Sequence, residues 1–183
     1  MRRIFIKAKL ADKLVIDGSD GFHLSRVMRA KIGDHIVVAD DVGQVGEYEI
    51  TGFGTGGSED GELGKVQLAE AQLHGANGAV VELSLVERLE EWTESPIELV
   101  LAQCLPKGDK LEVIIQKAVE CGAAEMIPFE SSFCVAKVKD PEKKLIRWNR
   151  IAYEAAKQCC RSIIPKVLPP VSFRDAVKSA SED

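Results

Sequence analysis

Lys107 and Lys110 bracket a short loop, Lys107-Gly108-Asp109-Lys110, between the apolar run Ile97 to Cys104 and an amphipathic stretch beginning at Leu111. Two cations at the carboxyl end of a strand and the start of a helix suit an anion such as phosphate, because open α/β sheets place ligands there. The loop lacks the G-x-x-x-x-G-K-[ST] pattern, so it is not a Walker P-loop. A second constellation joins His23, Arg26 and Arg29, whose i, i+3 and i+6 offsets keep them on roughly one side of a helix. One imidazole and two guanidinium groups suit contacts to phosphate or base edges. An ordinary βα unit with solvated lysines explains the first constellation equally well.

Other chemistries find little support. No Ser-His-Asp, Cys-His or paired-carboxylate arrangement stands out, His35 falls in a strand and reads as structural, and His74 lies in a polar segment. The cysteines (Cys104, Cys121, Cys134, Cys159, Cys160) form no C-x-x-C spacing and have no histidine beside them to complete a metal set. Cys159 and Cys160 read as small apolar packing residues. Gly52-Phe53-Gly54 lacks the following helix that a phosphate-binding glycine motif needs.

The net charge of −5 over 183 residues argues against a nucleic-acid partner when taken whole. Its distribution does not. Residues 1–31 carry eight basic side chains (Arg2, Arg3, Lys7, Lys9, Lys13, Arg26, Arg29, Lys31) against three aspartates. Residues 32–95 carry two against fourteen acids, and residues 134–166 nine against three. Two basic islands flanking an acidic block point to a face for an anionic polymer, although solvated surface makes similar clusters. An odd cysteine count, no signal-peptide core and no membrane-length apolar run predict a soluble cytoplasmic chain.

The elements that must position these residues fall into two domains, 1–92 and 93–183. The first reads as β-rich: a strand over Arg3–Lys7, a short helix over Gly21–Lys31 with Phe22, Val27 and Met28 inward, a strand over His35–Ala39, a turn at Asp40–Gly43, and a strand over Val45–Thr51. A glycine-rich acidic loop follows from Gly52 to Gly64, then a strand over Val80–Leu89. The second domain alternates: strand Ile97–Cys104, helix Asp109–Cys121 with Gly122 as its stop, strand Ala124–Phe129, and helix Pro141 to about Arg161 with Asp140 as N-cap. A strand at Lys166–Leu168 and a last helix capped by Ser172 complete it. That rhythm predicts a parallel sheet. On the long helix, Leu145, Trp148, Ala152, Ala155 and Cys159 form the expected buried face. Lys143, Arg147, Arg150, Lys157 and Arg161 form a basic stripe able to track phosphates. The sheet runs out at two or three strands, so the second domain is expected to be truncated.

The stretches RRIFI, HLSRVMRAKIGD, ESPIELVLAQCLPKGDKLEVIIQKAVECGAAEMIPFESSFCVAK and EKKLIRWNRIAYEAAKQCCRSIIPKV resemble the RsmE family, small-subunit (16S) ribosomal RNA uridine-N3 methyltransferases of the SPOUT class. The resemblance covers nearly the whole chain apart from about Phe53 to Gly78. It implies an α/β plus β architecture: a PUA-like β-barrel that helps hold RNA, followed by a trefoil-knotted α/β methyltransferase domain. It further implies S-adenosylmethionine as methyl donor, a homodimer, and small-subunit RNA or the assembled subunit as substrate. Carried onto this chain, the RNA-binding candidates are Arg2, Arg3, His23, Arg26 and Arg29, joined by Lys107, Lys110, Arg147 and Arg150. Lys107, Asp109, Lys110, Gln116, Lys117, Glu120, Glu130, Gln158 and Arg161 match motif positions of the catalytic domain.

Three departures stand out. Residues 53–78 look like an acidic insertion, and Cys160 stands where the family has glycine. The family's Gly-Pro-Glu-Gly loop and Leu-Arg-x-Glu-Thr segment are expected beyond Asp183, and with them most cofactor-binding residues. Methylating the uracil nitrogen between two carbonyls requires loss of its proton and cationic help for the charge left on the flanking oxygens. Arg161 is the candidate donor, with a phosphate contact or helix-end charge as the alternative role; no general base is identified. The 183 residues alone are expected to be inactive. Two other readings stay open: a non-catalytic RNA-binding protein, and a small-molecule enzyme using the Lys107–Lys110 loop for phosphate.

Overall fold

The structure is a computed structural model and describes residues 3–55, 79–90, 92–134 and 138–179. Arg2, His74 and most of the acidic insertion lie outside the described residues. The chain forms two units, Met1–Trp92 and Thr93–Asp183.

The first unit contains β1 (Arg3–Phe5), β2 (Lys13–Ile16), α1 (Gly18–Phe22) running into a π-turn (His23–Val27), β3 (His35–Ala39), β4 (Val45–Thr55) and β5 (Ala79–Leu89). Its sheet has the order β1-β3-β4-β5-β2, with β1–β3 parallel and the other pairs antiparallel. Period-two alternation turns Ile36 and Val38, Tyr48 and Ile50, and Val81 and Leu83 into one core. Tyr48 is fully buried there, and its hydroxyl donates to the Ala11 carbonyl at 2.8 Å. Burial pushes the Tyr48 hydroxyl up to about 12, opposed by Arg88 and reinforced by Asp12 and Asp40. The β3–β4 turn is tied by Asp40, whose carboxylate accepts from the amides of Val42 (3.1 Å) and Gln44 (2.8 Å).

Three expectations need correction here. β2 was not anticipated; it pairs with β5, Leu14 opposite Leu83. β4 does not stop at Thr51 but continues to Thr55 against Ala79–Glu82, past a bulge between Ile50 and Gly52. The helix near residue 22 is out of phase. The Met28 amide bonds to the His23 carbonyl five residues back (2.9 Å), and this wider turn directs Leu24 inward while Phe22 and Val27 stand 47% and 60% exposed. Only Met28 packs against the core as expected.

The second unit contains β6 (Val100–Cys104), α2 (Lys110–Glu120), β7 (Glu125–Glu130), α3 (Pro141–Gln158), β8 (Lys166–Val167), β9 (Val171–Ser172) and α4 (Phe173–Ser179). β7 is central, with β6, β8 and β9 all pairing parallel to it. Pro169 and Pro170 separate β8 from β9, as expected of residues with no amide to give the ladder. Leu111, Ile115 and Val119 of α2 and Trp148, Ala152, Tyr153, Ala155 and Ala156 of α3 are buried. Asp140 caps α3 through the Lys143 amide (3.1 Å), and Ser172 caps α4 through the Asp175 amide (3.2 Å). Asp109 precedes α2 without a side-chain cap bond. α2 stops at Gly122 (φ +91), with the Ala123 amide returning to the Ala118 carbonyl at 2.9 Å.

α2, β7 and β8 differ from expectation by one residue at their ends, and β6 and α3 by more. The first strand starts at Val100, because Ile97 (73% exposed) and Leu99 lie outside the core. α3 ends at Gln158, because Cys160 turns left-handed (φ +58) and leaves Arg161 beyond the helix; Cys159 is exposed rather than part of the buried face.

Gly21 shows where close backbone approach fixes a residue. A Cβ there would lie 2.3 Å from the Ala79 carbonyl oxygen and 2.8 Å from that of Ile16, both backbone atoms that cannot rotate away. Gly21→Ala is therefore expected to cost at least about 1–3 kcal/mol, read as a lowered urea midpoint with an unchanged slope. A midpoint equal to that of the parent would contradict this packing.

Candidate nucleic-acid interface

The carboxyl edge of β6 and β7 is built from two loops. The Leu105 amide extends the ladder by donating to the Phe129 carbonyl (2.9 Å), and Gly108 (φ +73) then turns the chain into α2. The turn leaves Lys107, Asp109 and Lys110 exposed. The loop after β7 is fastened to the first: the Cys134 thiol lies 3.2 Å from the Leu105 carbonyl, and the Cys104 thiol 3.5 Å from the Ser131 hydroxyl. Glu130 is exposed on the same edge. Two solvated ammonium groups on a rigid edge can attract phosphates without selecting sequence.

On α3 the basic stripe is partly neutralised. Glu112 of α2 accepts from Arg147 at 2.7 Å and lies 3.8 Å from Lys144, which is also 3.8 Å from Asp109. Lys157 sits over the Tyr153 ring at 4.9 Å. Lys143 and Arg150 are exposed. Arg147 is thus a helix–helix link as well as a surface cation.

Arg161 is where expectation and structure part most sharply. Its side chain is buried, with the residue 6% exposed. Nε donates to Glu94 Oε2 at 2.9 Å and Nη2 to the same oxygen; Nη1 donates to the carbonyls of Val119 (3.4 Å) and Ala123. Glu94 Oε1 in turn accepts the amides of Ser162 (2.8 Å) and Ile163 (3.0 Å). Thr93 adds a bond from its hydroxyl to the Cys160 carbonyl (3.0 Å). Burial alone would raise the Glu94 carboxyl; the Arg161 guanidinium and the two amides outweigh it and hold Glu94 below the ordinary glutamate value. Among the described residues the Arg161 guanidinium is thus held by Glu94 and two backbone carbonyls, as a clasp between the end of α2 and the segment after α3. It also lies at the end of α2 opposite Lys107, about 16 Å away along the 11-residue helix.

The other motif residues divide in the same way. Gln116 (3.0 Å) and Lys117 (2.7 Å) both donate to Glu120, and the Lys117 bond lowers the Glu120 carboxyl. This trio lies toward the C-terminal end of α2, and exposed Gln158 ends α3, whereas Lys107, Asp109, Lys110 and Glu130 lie at the carboxyl edge. The structure does not bring the two groups together.

In the first unit, Arg3 is buried within β1, 3% exposed. Arg26 and Arg29 are exposed and His23 is half-buried. The π-turn removes the i, i+3 phase expected of His23 and Arg26, and Arg29 adopts a left-handed φ of +52. His35 bonds Glu47 across the β3–β4 pair at 2.7 Å. Sequence reasoning missed Glu94, whose partner lies 67 positions away and carries no local signal.

Among the described residues no group of three His, Cys, Asp or Glu side chains could hold a metal, and no helix is long and apolar enough to cross a membrane. The family model for an RNA methyltransferase domain matches residues 93–183, and that for an RNA methyltransferase PUA domain matches residues 16–55. The chain is 34% identical over 97% of its length to a Bacillus subtilis protein named ribosomal RNA small subunit methyltransferase E, and it spans 63% of that relative. A crystal structure of a hypothetical protein superposes with a TM-score of 0.79 at 31% identity, covering 99% of this chain and 68% of that one. A Neisseria gonorrhoeae ribosomal RNA small subunit methyltransferase E, solved bound to S-adenosyl methionine, gives 0.73 at 25% identity, covering 97% and 65%.

Removing one partner of the buried pair strands the other. Arg161→Ala and Glu94→Gln are each expected to destabilise the chain by about 3–5 kcal/mol in denaturant titration. Because the folded Glu94 value is depressed, its contribution is complete above the ordinary value of 4.5 and is lost as pH falls through the folded value. The parent should lose more stability below pH 4.5 than Glu94→Gln does; parallel pH profiles would show that the carboxylate is not held this way.

Proposed function

Since the chain belongs to the ribosomal RNA small subunit methyltransferase E family, with a PUA-like domain followed by a SPOUT methyltransferase fold, we propose that its protein methylates N3 of a uridine in small-subunit ribosomal RNA. The observation that carries this reading is the RNA methyltransferase match over residues 93–183, the same span as the parallel unit whose carboxyl edge presents Lys107 and Lys110. The donor is S-adenosylmethionine, as in the gonococcal neighbour, and it supplies the methyl group. The protein acts in the cytoplasm, where ribosomal subunits are assembled, and as a homodimer.

The described residues do not themselves make a cradle for that cofactor. Exposed lysines at the carboxyl edge would repel a sulfonium, and the Cys104 and Cys134 thiols are turned onto neighbouring loop oxygens. These residues serve the RNA side. Lys107 and Lys110 at the edge, Arg150 and part of the Arg147 charge on α3, and His23, Arg26 and Arg29 in the PUA-like unit contact phosphates or bases. Arg161 positions α2 and the segment after α3 instead of donating to the uracil oxygens. On this reading the cofactor's own residues belong to the remainder of the protein, since this chain spans 63% of the Bacillus subtilis relative.

Incubating the whole protein with labelled S-adenosylmethionine and assembled small subunits should place one methyl on N3 of a uridine, identified by nucleoside mass spectrometry. A product at carbon 5 or on ribose would remove the N3 assignment, and an unlabelled RNA would remove the transferase reading. The 183-residue polypeptide alone should bind small-subunit RNA without turnover; tight stoichiometric S-adenosylmethionine binding in calorimetry would overturn that part. Lys107→Ala and Lys110→Ala should each weaken RNA binding across sequences and lower the salt-dependence slope by about 1. An unchanged slope would take that lysine off the phosphates.

A further inference from the structure

The π-turn at His23–Val27 leaves apolar side chains on the surface where a core would not have them. Phe22, Val27 and Ile32 are all exposed, and the stretch from Phe22 to Lys31 holds His23, Arg26, Arg29 and Lys31 with no Asp or Glu. Phe22 ends α1 and Val27 ends the π-turn that the Met28 amide closes onto the His23 carbonyl, so two exposed apolar side chains flank one wide turn that also carries exposed Arg26. Leu24 between them is 1% exposed and anchors the turn in the core, and the Ser25 hydroxyl donates within the turn to the Phe22 carbonyl at 3.3 Å. A planar ring on a core-anchored turn, in a stretch whose charged side chains are all basic, matches a ligand that has flat apolar faces and regularly spaced negative charge. An unpaired nucleic-acid strand has both.

We propose that Phe22 is a stacking platform for an unpaired RNA base, with Val27 extending the apolar surface and Arg26 and Arg29 meeting the adjacent phosphates. The assignment rests on reading the protein as an RNA methyltransferase and specifies the form of RNA it takes. A base inside a duplex keeps both faces covered, so this surface selects loops, bulges or extruded nucleotides.

The test titrates the full chain with a single-stranded oligoribonucleotide carrying 2-aminopurine, and with the same sequence fully paired. Phe22→Ala should lose at least about fivefold in single-strand affinity, the lower end of what one stacked base contributes. It should also abolish the quenching of 2-aminopurine. Duplex affinity and the salt slope should stay unchanged, because stacking releases no counterions. Phe22→Trp should restore binding, and Phe22→Leu, apolar but not planar, should not. The ring is on the surface, so circular dichroism should match the parent for all three variants.

Single-strand affinity unchanged in Phe22→Ala, or full binding by Phe22→Leu, would overturn the platform. The RNA reading would then still stand if Arg26→Ala lowers the salt slope by about 1. Loss of self-association in Phe22→Ala, measured by sedimentation, would reassign the patch to a second copy and also overturn it. Absence of any RNA binding by the parent at low salt would overturn both readings.

Discussion

One carboxylate governs the order of the second unit. Glu94 gathers the Arg161 guanidinium and the amides of Ser162 and Ile163, and Arg161 reaches on to the carbonyls of Val119 and Ala123 at the end of α2. An apolar pair of the same volume would often be neutral or better for stability in a dry core. Here it would leave backbone donors and acceptors without partners, which is the larger cost. The clasp thus fixes where α2 ends, and with it β7. It also fixes where the chain leaves α3 to enter β8. The carboxyl edge, at the far end of the same elements, inherits its geometry from this contact.

Much of that architecture is legible in the sequence wherever a local pattern determines the structure. α2, β3 and β7 announce themselves through apolar periodicity, α3 through Asp140-Pro141, and α4 through Ser172. What escapes is set by partners far away in sequence. β2 forms because β5 offers it an edge, and residues 52–55 are strand because Ala79–Glu82 lie opposite. A π-turn shifts the phase without altering composition, so Leu24 is buried while Phe22 and Val27, expected inward, are exposed. Cys160, where the resemblance leads one to expect glycine, takes a left-handed φ of +58, a conformation that favours glycine and that composition cannot reveal.

Charge was the least legible property. Arg3, Arg161, Arg26 and Arg150 are the same residue type in basic islands, yet two are buried and two exposed. Along α3 the formal count overstates the positive field, because Glu112 draws on Arg147 and Lys144 together. A candidate interface drawn from charge runs alone therefore includes cations that bind the protein to itself. The exposed candidates, Lys107, Lys110, Arg150, Arg26 and Arg29, share solvent exposure and not any common sequence motif.

The pairing of β2 with β5 has a consequence for biosynthesis. Lys13 faces Ser84, so β2 leaves the ribosome about 70 positions before its partner, roughly 4–14 s at ordinary translation rates. Throughout that interval Leu14, Val15 and Ile16 form a short, strongly β-forming segment with no sheet to join. Asp12, Lys13 and Asp17 flank it on both sides, placing charge where a nascent strand would otherwise pair with its neighbours on a polysome. The same charges that solvate the finished sheet edge act earlier as gatekeepers, protecting the chain until its own C-terminal strand arrives to close the domain.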